Sequence, residues 1–122
     1  MTTPVALLPK VRSSALMASI HGMPCALRVA SFGGLPCAPQ NTVVGCHIGG
    51  LNKGMSTKVS DLCVAAGCAT CHDLVDGRDP RGMTLAHRYP GAWARQLMQG
   101  VFETQARLVE AGVIVVPGAD IV

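Results

Sequence analysis

Leu62-Cys63-Val64-Ala65-Ala66-Gly67-Cys68-Ala69-Thr70-Cys71-His72-Asp73-Leu74-Val75-Asp76 is the stretch whose reading decides the fold. Leu62 to Ala66 is a short apolar run of strand length. Gly67 then turns the chain into a CxxC and a short helix through about Val75. The breaker-rich run Asp76-Gly77-Arg78-Asp79-Pro80-Arg81-Gly82 ends that helix. Upstream, Thr42-Val43-Val44-Gly45-Cys46-His47-Ile48 is β-branched and bounded by turn residues, so it reads as another strand. Gly49 to Gly54 is the loop that follows it.

Outward from this unit, residues 1–10 form a loose lead-in and Val11 to Ile20 a helix stopped by Gly22 and Pro24. Cys25 to Ala30 is strand-like and leads into a Gly/Pro-rich loop. From about Ala92 to Ala111, Ala94, Leu97, Met98, Val101, Phe102, Leu108 and Val109 recur at near-helical spacing. Gly112 supplies a stop, and Val113 to Val116 is expected as a final strand. The pattern is α+β, with an N-terminal helix and a long C-terminal helix whose outer face offers a surface for pairing two copies.

A chain of 122 residues fits one domain, 1–122. Phe32, Tyr89, Trp93 and Phe102 are its only aromatics, so the core is thin and calls for a staple. The net charge of +3 is compatible with a nucleic-acid partner but is not by itself the strongly basic footprint of one. No apolar run approaches the roughly 18 residues that span a membrane. Ser13 to Ile20 is too short and serine-rich for a signal-peptide core. A cytoplasmic setting is therefore expected, where six cysteines point to metal ligation more than to disulfides.

Cys68 and Cys71 would pair with Cys25 and Cys37, four thiolates that satisfy a structural Zn²⁺. The competing readings are a thioredoxin-like redox pair or buried free thiols. Cys46 and Cys63 fall in strands and read as small buried hydrophobes. His72 and Asp76 stand one helical turn apart and can share one divalent cation while leaving positions open, as a catalytic metal requires. Asp73 reads as a favourable N-terminal charge. His47, at a strand end before a glycine-rich loop, suits a general base. The plainer alternative is a half-buried strand histidine. His21 and His87 read as surface residues.

The order Cys…Cys, Val-Val-Gly-Cys-His47-Ile, Asp61-Leu62 and Cys-x-x-Cys-His72-Asp-x-x-Asp76 resembles the YbcO-like family of phage and prophage nucleases, within the HNH group. Glu103 to Ile114 is similar to that family's C-terminal end. The resemblance covers roughly Arg12 to Ile114. It implies a ββα-metal (HNH, His-Me finger) core clamping one divalent metal, Mg²⁺ or another, with His47 as general base and His72 as metal ligand. Cys25, Cys37, Cys68 and Cys71 match the zinc cysteines, and Asp61 falls near the middle Asn of HNH and orients His47. Cys46 stands where the group usually has Asp or His as a metal ligand.

The resemblance implies a metal-dependent endonuclease acting on DNA. Lys53, Lys58, Arg78 and Arg81, on loops flanking the unit, are candidate phosphate contacts. The alternative is a zinc-stapled nucleic-acid-binding module without catalysis. A disulfide-bonded secreted protein is a third reading, which predicts neither zinc nor free thiols.

Overall fold

The computed structural model describes residues 2–4, 7–49 and 59–122. Among the described residues four α-helices accompany one two-stranded antiparallel sheet, a mixed α+β arrangement. Strand β1 (Val44–His47) pairs with β2 (Val64–Gly67), Val44 opposite Gly67 and His47 opposite Val64. The Ile48 N–H donates to the Cys63 carbonyl at 2.8 Å and carries the pairing one step further. Helix α2 (Ala69–Asp76) follows β2 after a single residue, and Gly77 at φ 85° terminates it. The strand, strand, helix order read from the sequence is therefore present.

Helix α1 (Ser14–Ile20) is shorter than the expected Val11 to Ile20. Ser13 is its N-cap, the hydroxyl accepting from the Leu16 N–H at 3.1 Å, and the residues before it make other hydrogen bonds. Leu16 and Ile20, one turn apart, are buried. The helix lies on β1 at Gly45, where a Cβ would come within 2.7 Å of the Met17 methyl.

The long helix α4 (Pro90–Glu110) crosses β2. Gly100 permits the approach: a Cβ there would sit 3.1 Å from the Ala26 carbonyl and 3.2 Å from Ala65 Cβ. Thr104, fully buried, accepts from the Ala66 N–H at 2.9 Å and donates to the Gly100 carbonyl at 2.8 Å. The Ala26 and Leu27 N–H groups both donate to the Ala66 carbonyl, at 2.7 and 3.2 Å. The outer edge of β2 is thus closed by one side chain and one loop.

That closure explains two departures from the sequence reading. Cys25 to Ala30 is no strand: two of its amides converge on a single carbonyl, Arg28 turns at φ 48°, and a 3-10 turn follows over Val29–Gly33. Val113 to Val116 is no strand either. Gly112, at φ 75°, ends α4 in a Schellman turn, with Gly112 N–H bonded to the Val109 carbonyl and Val113 N–H to that of Leu108. Val115 and Val116 are exposed beyond it.

Helix α3 (Arg81–Arg88) carries residues to which the sequence assigned no element, because its apolar positions are few. It sits so close to α2 that a Cβ on Gly82 would overlap the Leu74 backbone carbonyl. Among the described residues no helix is long and apolar enough to cross a membrane.

Gly82→Ala is expected to destabilise the fold by about 1–3 kcal/mol, since backbone rather than a mobile side chain must give way. Gly91→Ala, facing open space in the first turn of α4, is expected to be neutral or mildly stabilising. Urea melts of the two variants beside the parent protein check this.

Candidate metal centre and His–Asp dyad

Three separate segments bring Cys25, Cys37, Cys68 and Cys71 together, with all four sulfurs within 4.8 Å of one another. All six cysteines are free thiols. Cys37 and Cys71 Sγ lie 3.8 Å apart, too far for a disulfide. About 3.8 Å is also the edge of a tetrahedron whose metal–sulfur bonds are about 2.3 Å, the zinc–thiolate length. The cluster can therefore hold a metal such as zinc.

Backbone amides already face the sulfurs. Cys68 is the N-cap of α2 and accepts from the Cys71 N–H at 3.5 Å and from Ala38 N–H at 3.3 Å, while Cys68 N–H donates to Cys25 Sγ at 3.4 Å. The Cys71 thiol donates to Cys25 and draws its pKa down to about 4; the same bond pushes Cys71 upward. Burial and the neighbouring sulfurs raise Cys37 to about 11. The metal-free cluster thus favours one thiolate, and a cation entering it displaces protons from the others.

Cys46 is buried, as expected, and burial together with the Asp76 carboxylate pushes its thiol up to about 12. Cys63, expected to be buried, is exposed. It precedes β2, outside the covered pleat.

His47 ends β1, its side chain 39% exposed, and Nε2 lies 2.8 Å from Asp61 Oδ1. Asp61 is buried, with its other oxygen accepting from the Ser13 N–H at 2.7 Å and its own N–H donating to the Val11 carbonyl at 2.9 Å. The His47 bond first, then the Ser13 amide, hold its carboxyl below the usual carboxylate range. An ionised Asp61 only accepts, so in the neutral imidazole Nε2 carries the proton and Nδ1 is the unprotonated nitrogen.

His72 and Asp76 meet as the helical spacing required, Nε2 to Oδ2 at 3.0 Å, both part-exposed. Asp76 also faces Arg78 at 3.5 Å. Among the described residues the only cluster of three or more metal-ligating side chains is the cysteine one. The structure therefore assembles His47 with Asp61 and His72 with Asp76 as two pairs.

Arg78 is exposed and spans Asp73 and Asp76; Arg81 is exposed and bonded through Nε and NH2 to Asp79. Lys53 and Lys58 lie outside the described residues. Two participants carried no sequence signal, the backbone N–H of Ser13 and the guanidinium of Arg12, 3.8 Å from Asp61 Oδ1. A residue count or a motif cannot register an amide.

A protein-family model described as "Putative nuclease YbcO" matches residues 14–113. The chain belongs to this family. The match encloses all four clustered cysteines and both His–Asp pairs, while Arg12 and Ser13 fall just before it. Neither the comparison with curated proteins nor that with solved structures gave a match.

Purified without chelator, the protein is expected to carry one zinc per chain by elemental analysis. Stripping the metal, or Cys37→Ser, should lower the melting temperature sharply, whereas Cys63→Ser should leave it unchanged.

Because Asp61 is held below its ordinary pKa of about 4, its contribution to stability is complete above that pH and is lost as pH falls through the lowered value. Asp61→Asn should therefore flatten the acid side of the stability–pH curve, measured by urea melts from pH 7 to pH 3.

Proposed function

We propose that the protein is an HNH-type endonuclease, of phage or prophage derivation, that hydrolyses DNA phosphodiester bonds with His47 as general base. The observation that carries this is the His47–Asp61 dyad: an accessible imidazole at a strand end, oriented by a buried carboxylate. The family's description as a nuclease supports the same chemistry.

In this mechanism Asp61 fixes the ring through Nε2, and Nδ1 takes a proton from water. The water oxygen attacks phosphorus, the bond to the leaving oxygen breaks, and that oxygen is protonated from solvent. Asp61 then stabilises the imidazolium that has formed. Such an arrangement needs no change in Asp61's own charge.

A divalent cation is implied by the HNH group, and His72 and Asp76 are the residues that would hold it. Their donor set fits: one imidazole nitrogen and one carboxylate oxygen, 3.0 Å apart, the spacing of adjacent donors around a six-coordinate ion with bonds of about 2.1 Å. Such an ion supplies stabilisation of charge developing on the phosphate and leaving oxygens. Of the four basic residues proposed to contact phosphate, Lys53, Lys58, Arg78 and Arg81, the last two would have to exchange their carboxylate partners for DNA.

One observation favours a second reading, a zinc-stapled binding module without catalysis. Cys46 occupies the usual ligand position on β1, yet its thiol is buried and held protonated.

Plasmid nicking with Mg²⁺, Mn²⁺ or no divalent ion separates the two. Metal-dependent nicking is expected, and His47→Ala should reduce it about 10²–10⁴-fold. Equal or absent nicking in both proteins would leave the binding module as the better account.

A further inference from the structure

Arg12 differs from the other arginines near the candidate site in how it is held. Arg78 and Arg81 are engaged by carboxylates, and Arg28 makes a two-pronged pair with Glu103 at 2.9 and 2.6 Å. Arg12 has a carboxylate nearby but no hydrogen bond to it. Asp61 Oδ1 is taken by His47 at 2.8 Å, Oδ2 by the Ser13 amide at 2.7 Å, and Arg12 NH1 stands off at 3.8 Å.

What fixes Arg12 instead is backbone. NH1 donates to the Val59 carbonyl at 2.6 Å and to the Val11 carbonyl at 3.0 Å. Two neutral acceptors consume its two protons and orient the group without cancelling its charge. Among the described residues Nε and NH2 make no hydrogen bond, and the side chain is 42% exposed. The result is a tethered, part-exposed guanidinium whose NH1 lies beside the same carboxylate oxygen that holds His47.

We propose that Arg12 is the anion-holding group of this site, its Nε–NH2 edge gripping a non-bridging oxygen of the phosphodiester; this rests on the reading of His47 as general base. The planar fork of a guanidinium matches the geometry of a phosphate. The electrostatics change in the useful direction. With His47 neutral, Arg12 and Asp61 sum to zero; once His47 has taken the proton of water, the three groups carry one positive charge facing the extra negative charge on phosphate. The interaction therefore strengthens as the reaction proceeds, the condition for acceleration rather than mere binding.

The test compares single-turnover plasmid nicking at saturating protein for the parent, His47→Ala, Arg12→Gln and Arg12→Lys, with melting curves for each. Arg12→Gln should lower the saturated rate about 10²-fold, and Arg12→Lys should recover about tenfold of it. Arg12→Gln nicking within about threefold of the parent overturns the assignment, as do Gln and Lys variants that are equally slow, since the tether and not the charge would then matter. If the parent nicks no faster than His47→Ala, the nuclease reading falls and takes this one with it. If His47→Ala is inactive while Arg12→Gln is normal, only the role of Arg12 falls.

A second measurement needs no variant. Inorganic phosphate titrated into the parent protein should shift the NMR signals of Arg12 Nε–H and the His47 ring with one common affinity. A His47 shift without Arg12, or no shift in either, counts against the proposal.

Discussion

Convergence of four sulfurs on one point is the constraint on which this fold depends. Cys25 lies in the segment that closes the edge of β2, Cys37 in the Gly/Pro-rich loop, and Cys68 and Cys71 at the start of α2. The apolar core beneath is built largely from alanine, valine and cysteine, with Trp93 the one buried aromatic. Such side chains bury little area each, so packing alone holds these segments weakly. A zinc held by the four sulfurs would contribute on the order of 10 kcal/mol, comparable to the net stability of a whole domain. Cys68 is also the helix cap, so the site that gathers the segments sets where α2 begins.

The His–Asp dyad is built on a different principle, from several weak interactions converging on one buried carboxylate. Pleat alternation turns Cys46 into the core and leaves His47 open, and antiparallel pairing sets His47 opposite Val64. Asp61 reaches it from three residues before β2. The price of burying that carboxylate is met by one imidazole and one backbone amide, with Arg12 close by.

Both strands, α2 and α4 were legible because each has a period and a stop: β-branched Val43-Val44, the glycines at 67, 77 and 112, and the apolar stripe from Leu97 to Leu108. The cysteine quartet and the His72–Asp76 pair followed from chemistry that needs those residue types at those spacings. Cys25 to Ala30 and Val113 to Val116 misled because β-propensity states what a segment tolerates and not whether a ladder partner is free. Thr104 and the 26–27 amides had already taken the edge of β2. Helix α3 escaped notice because its closest packing is made by Gly82, a residue with no side chain to mark it. Arg12 and the Ser13 amide were silent for a related reason: one is an ordinary surface-type residue, the other a backbone group.

Ser13 joins two processes that are usually separate. Its hydroxyl caps α1 and its amide holds Asp61, so fraying of the first turn of the helix and release of the buried carboxylate are a single local opening. The fraction of molecules with an oriented imidazole then equals the fraction in which that turn is formed. A sequence change that weakens α1 would lower the population that holds the dyad, leaving the geometry of each molecule that holds it intact.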